Sequence, residues 1–216
     1  MYISYHFFWL LQLFLFTNYH ISNKIVYGDD MKELIKQYAN EVVNESDVLA
    51  HQVPSIPLYM DQVLMMMDQM LSDNKRNEDD KIMTKTMINN YSKEKIIRPI
   101  KGKTYPKEQL IQLLMVYNMK NCLTMQEMKQ VMQTMYMDEQ LDEAGFLRCY
   151  ERLMHFKEKG KEVLPNALVS MLEDDLVGNK EDDLVTLLCL CTVSNQLQKI
   201  AYKLIDERFR ASKDAK

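Results

Sequence analysis

The chain has 216 residues, a formal net charge of -4, 5 Gly, 5 Pro and 18 Met. That length holds one domain with a sizeable core or two small ones, and so little Gly and Pro argues for long helices against a sandwich or barrel. The four cysteines, Cys122, Cys149, Cys189 and Cys191, form no CxxC pair and no framework of a small secreted chain. They read as free thiols packed as small apolar groups in a reducing cytosol, which excludes a disulfide scaffold.

Residues 7–16, FFWLLQLFLF, are almost wholly apolar, yet shorter than the roughly 20 residues a membrane span needs. No Lys or Arg precedes them, and no small-residue cleavage site follows. Gly28-Asp29-Asp30 stands just before Met31, and GGA-GAT codons there would spell a ribosome-binding sequence upstream of an ATG. Residues 1–30 are therefore expected to be translated leader or a non-native extension; a short membrane-associating segment is the competing reading.

From Met31 the chain reads as helices joined by polar loops. In an N-terminal helix within 31–53, MKELIKQYANEVV places Leu34, Ile35, Tyr38, Val42 and Val43 on one face. Pro54 and Pro57 break the pattern, and Pro57 suits the first turn of PLYMDQVLMMMDQML. SDNKRNEDDK at 72–81 holds no apolar residue and reads as a solvated, mobile loop. Thr84 is a good N-cap for TKTMINNYSKEK, which makes three turns with Met87, Ile88, Tyr91 and the Lys95 stem on one face. Pro99 ends that run, and Ile100-Lys101-Gly102-Lys103 forms a tight turn. Pro106 opens KEQLIQLLMVYNMK, with Leu110, Leu113, Leu114 and Tyr117 inward. Thr124 and Glu127 make a capping box for MQEMKQVMQTM.

Residues 81–107 hold eight Lys or Arg and one acid, Glu94, a local balance of +7. An exposed charged hairpin is often no more than a soluble loop. A short basic, amide-rich helix followed by a basic turn, however, suits a nucleic-acid duplex. Asn89 and Asn90 can bond base edges, particularly adenine. Ser92, Lys93 and Lys95 can reach phosphates, and Arg98, Lys101 and Lys103 can lie along the flanking backbone as a wing. With Thr84, Lys85, Thr86 and Tyr105, these are the candidate DNA-binding residues.

TKTMINNYSKEKIIRPIKGKTYPKEQLIQLLMVYNMKNCLTMQEMKQVM resembles the winged helix-turn-helix of MerR-type regulators. The matching positions are Thr84 as cap, Tyr91 as the second aromatic, Ile96-Ile97-Arg98-Pro99, Tyr105 in the wing, and Leu123-Thr124-Met125-Gln126-Glu127-Met128. LYMDQV followed by TKTMINNY is similar, more closely, to a bacterial domain-of-unknown-function family with MerR-like helix-turn-helix character. The resemblance covers about 54–135 and implies a mainly α fold, with a winged helix-turn-helix domain there. Asn89 stands where many such proteins carry Arg, Asn90 replaces the first aromatic, and Lys95 replaces the helix-ending Gly.

From residue 136 onward sixteen acids face twelve bases, so this half is not a nucleic-acid surface. LDEAGFLRCYERLMHFKEKGK reads as an amphipathic helix, NALVSMLEDDLV as a shorter one, and DLVTLLCLCTVSNQLQKIAYKLIDERF as a long terminal helix whose first half should be buried on several sides. The resemblance implies that this last helix dimerises, with 136–216 as a dimerisation or effector region. Leu187, Leu190, Leu197, Ala201 and Leu204 carry the seam, with Ser194 polar within it. The alternative is the core helix of a monomeric bundle. EDDLV occurs at 173–177 and 181–185; acids at a helix start explain the second copy better than a metal does. No HExxH, phosphate loop or Ser/His/Asp arrangement is present, and His6, His20, His51 and His155 are scattered. No catalytic residue, metal or cofactor is expected.

The expected function is a cytoplasmic, homodimeric transcriptional regulator that binds double-stranded DNA, without stable membrane association and with room for an unidentified small-molecule effector. The alternative is a helical protein-interaction module that has lost DNA binding.

Overall fold

The computed structural model describes residues 31–138, 142–173, 176 and 178–209. The expected leader, 1–30, lies outside them, as does most of the first EDDLV copy. The described chain is mainly helical: α1 (31–43), β1 (Leu58–Tyr59), α2 (Met60–Leu71), α3 (Lys85–Lys93), β2 (Thr104–Tyr105), α4 (Lys107–Met119), α5 (Met125–Met137), α6 (Glu143–Ser170) and α7 (Lys180–Arg208). It divides into two compact units. The larger takes Asn44–Lys159 and the chain from Gln196 on; the smaller takes the chain up to Val43 and Gly160–Asn195.

In the larger unit α4 is the central helix. Leu110, Ile111, Leu113, Leu114 and Val116 are all buried, so this helix is apolar on several sides rather than along one stripe. Val63, Met67 and Leu71 of α2, Ile88 and Tyr91 of α3, and Met128 and Met132 of α5 complete the core at spacings of three and four. The core reaches past 54–135 in both directions, to Val48 and Val53 before it and to Phe146 and Tyr150 of α6 after it. The Tyr150 hydroxyl donates to the Val48 carbonyl at 2.6 Å, and burial pushes its pKa well up. Lys157 pairs with Asp47 beside this contact.

Both threonine caps form. Thr84 Oγ1 accepts from the Met87 N–H at 3.2 Å. Thr124 accepts from Glu127 N–H, while Glu127 Oε2 accepts from Thr124 N–H at 2.7 Å. Pro57 does not open α2. Leu58 and Tyr59 instead pair antiparallel with Tyr105 and Thr104, and α2 starts at Met60. A partner strand more than forty residues away decides this, and nothing in the local pattern announces it. The 72–81 loop is exposed but anchored: Asn74 donates to the Ser46 carbonyl at 2.9 Å, and Lys75 pairs with Asp68 at 2.7 Å.

In the smaller unit Met31, Ile35, Leu172 and Leu176 form a cluster, with Leu190 packed against it. Of the face expected from α1, Ile35 is buried, but Leu34, Tyr38 and Val42 are exposed; Met31 and Ala39, four residues to either side of Ile35, turn inward in their place. The two helices expected between 141 and 177 are one, since α6 runs through Gly160 and Pro165 to Ser170. α7 begins after Gly178 (φ 77°), with Asn179 Oδ1 accepting from the N–H groups of Glu181 and Asp182. Its first turn carries Glu181, Asp182 and Asp183, where the helix dipole favours acids. Leu184, Val185, Leu187 and Leu188 are exposed, against the expectation of burial on several sides. All four cysteines are free, but Cys122, Cys189 and Cys191 are exposed rather than packed.

Candidate nucleic-acid interface

α3 is nine residues long, roughly 14 Å at the α-helical rise. Ile88 and Tyr91 face the core. Lys85, Thr86, Asn89, Asn90 and Lys93 are exposed, and at 3.6 residues per turn they fall within roughly 140° of arc on the opposite side. No acid lies on that arc. Both amides point outward, including Asn90, which stands where the resemblance has an aromatic.

The helix stops earlier than the three expected turns. Lys95 adopts φ 58°. Its N–H donates to the Ser92 carbonyl at 3.1 Å, and the Ile96 N–H donates to the Tyr91 carbonyl at 2.8 Å. These paired bonds form a Schellman ending, in which the left-handed position usually belongs to Gly. Lys95 therefore takes the conformation that Gly usually takes at a helix end. Its side chain is exposed and does not lie along the buried face of α3.

The turn at 100–103 bends at Gly102 (φ 94°), with Lys101 and Lys103 exposed on either side. It returns to α3: Tyr105 is buried, and its hydroxyl hydrogen-bonds the half-buried side chain of Ser92. Those two candidates are tied to each other. Thr84 is half-buried and occupied as a cap.

Arg98 also turns inward. Its guanidinium carbon lies 5.0 Å from the centre of the Tyr136 ring and 5.6 Å from that of Phe146. Its backbone N–H donates to Gln112 Oε1 at 2.8 Å; that oxygen lies 3.0 Å from the Tyr136 hydroxyl, which donates to the Ile96 carbonyl at 2.7 Å. Burial pushes the Tyr136 pKa well up. The acid of the strip is engaged as well: Glu94 pairs with Lys129 at 2.9 Å, and that hydrogen bond holds its carboxyl below the usual range. Lys85, Lys95, Lys101 and Lys103 are exposed and make no ion pair among the described residues. The outward surface thus keeps its positive charge although Arg98 leaves it.

Residues 48–153 match the family model of a domain of unknown function, DUF1836. No curated protein and no solved structure matches the chain. The DUF1836 match starts at Val48, the first residue of the larger unit's core, and takes in Tyr150, its bonded partner. α3, the turn at 100–103 and Arg98 all lie inside it; α7 lies outside. The description of DUF1836 names no activity.

Of the expected seam on α7, Leu187, Leu197 and Leu204 are exposed, Ala201 is half-buried, and Leu190 packs in the smaller unit's cluster. Residues that periodicity did not single out also flank the candidate interface. Gln133, Tyr136 and Met137 of α5 border a groove beside Lys95 and Arg98. They lie about forty positions from α3, so no local pattern could have joined them.

Proposed function

We propose that the chain is a DNA-binding transcriptional regulator, reading duplex DNA with α3 in a winged helix-turn-helix arrangement and acting as a cytoplasmic homodimer. The observation that carries the reading is the outward arc of α3, where Lys85, Thr86, Asn89, Asn90 and Lys93 stand together with no acid among them. Its length and width suit a major groove about 12 Å wide. An exposed Asn amide can bond an adenine edge through two parallel bonds, while the lysines displace counterions from phosphates. Lys101 and Lys103 extend the positive surface along the flanking backbone; Arg98, Ser92 and Tyr105 support the turn from within.

Exposed Leu187, Leu197 and Leu204 favour a second copy of the chain on α7. α7 is also long and apolar enough to cross a membrane by length and composition. Against a span, Gln198 Nε2 donates to the Cys122 carbonyl at 2.8 Å and Ile205 is buried, so the end of α7 packs on protein.

Immunoprecipitation of the tagged protein across the genome, followed by fluorescence anisotropy on a recovered site and on scrambled DNA, tests the reading. Binding to neither DNA at low salt hands the chain to the helical interaction-module alternative.

A further inference from the structure

The geometry points to a small-ligand site in the groove between the turn after α3 and the last turn of α5, built for an organic carboxylate with an apolar body. The groove has a volume of about 400 Å³, within the size range of small-molecule sites. Lys95 and Arg98 stand on one side and Gln133 on the other, while Ile97, Tyr136 and Met137 supply apolar wall. No acid is among the described lining residues.

Arg98 is the anchor. Its contact with the Tyr136 and Phe146 rings uses its charge and consumes none of its five N–H donors. The half-buried guanidinium donates no hydrogen bond to the described protein. Its fork suits a carboxylate, which it can hold through two parallel bonds. The ends of α3 and α5 lie nearby, each contributing about -0.5 of an elementary charge. Glu94 at the end of α3 is neutralised by Lys129, Asp138 at the end of α5 is outside the lining, and both full charges that do line the groove are positive, so an anion is favoured over a cation. A bare inorganic anion would leave the apolar wall unused, and a neutral lipid would leave both cations without a partner.

The lining turn joins α3 to the wing, so an occupied groove has a route to the DNA-reading face. That consequence rests on the regulator reading; the test below contains no DNA, so the two fail separately.

The full chain, labelled at its methionine methyl groups, is titrated by NMR with octanoate, octanamide and inorganic phosphate. Octanoate should shift the Met137 methyl saturably, octanamide should bind at least about tenfold more weakly for want of charge-assisted bonds, and phosphate should leave Met137 unmoved. Lys95→Glu and Met137→Asp, both at exposed positions, should each weaken octanoate at least about tenfold. Equal binding of octanamide, a phosphate-induced shift of Met137, shifts spread equally over exposed Met65 and Met125, unchanged affinity in both variants, or no saturable shift with octanoate would each overturn the site.

Discussion

The guanidinium of Arg98 rests on the ring of Tyr136, 5.0 Å from its centre, with the Arg98 backbone N–H bonded to Gln112 Oε1. Arg98 thereby ties the turn after α3 to α4, α5 and α6. Arg98→Ala should lower stability by about 1–2 kcal/mol through the lost cation–π contact and packed stem. Urea unfolding should show a lower midpoint at unchanged slope. The salt dependence of the proposed DNA binding should not change. A slope reduced by about one unit at unchanged stability would return Arg98 to the phosphate surface.

Lys95 holds a left-handed conformation at the end of α3. That conformation costs a non-glycine residue about 1–2 kcal/mol, against roughly 0.5–1 kcal/mol of extra chain entropy that Gly loses on folding. Lys95→Gly should therefore stabilise the fold by about 0.5 kcal/mol while removing one exposed charge. Equilibrium unfolding measures the first effect; a loss of stability would mean that the Lys95 side chain makes a contact worth more than the strain.

On the proposed DNA surface, charge and amide separate by their mutant behaviour. Lys101→Ala and Lys103→Ala should weaken binding to all sequences alike, flattening the salt dependence by about one unit per lost contact. Asn89→Ala should cost on the order of 1–3 kcal/mol on the specific site and leave non-specific binding nearly unchanged. Asn90→Ala is the parallel test, since Asn90 is equally exposed. Uniform losses for both amide variants would reduce α3 to a phosphate-binding helix.

Leu187 and Leu197 are exposed in the single chain, so changing them should not unfold it. Leu187→Glu and Leu197→Glu should each convert a dimer to a folded monomer, because a dimer seam would bury an unpaired carboxylate. Sedimentation velocity with circular dichroism separates the outcomes. A wild-type monomer, or a variant dimer of unchanged affinity, removes these leucines from the interface.

Glu94 has its carboxyl pKa lowered by the hydrogen bond from Lys129. A lowered folded-state pKa contributes stability that is present above the ordinary value of 4.5 and is lost as pH falls through the folded value. Thermal unfolding of wild type and Glu94→Gln should differ near neutral pH and converge below pH 4.5. A difference that persists into acid would assign the effect to something other than this pair.

Much of the fold was legible because it is local. Thr84 and Thr124 cap the helices they precede, as a hydroxyl three residues from an unpaired N–H must tend to do. The apolar spacing of α4, α5 and α7 marks helices wherever their partners lie, and the charge of 81–107 is visible in composition alone. The sequence by itself determined the helix order through α5 and the basic patch, since both depend on neighbours within about two turns. Tertiary structure decided the rest. It drew Leu58–Tyr59 into a strand with Thr104–Tyr105, ran α6 unbroken through Pro165, turned Met31 and Ala39 inward beside Ile35 in place of Leu34, Tyr38 and Val42, and took Arg98 from the expected wing onto Tyr136. For the strand and the arginine, a partner some forty positions away offered a backbone ladder or an aromatic face that the local pattern does not contain, and the stronger non-local contact prevailed.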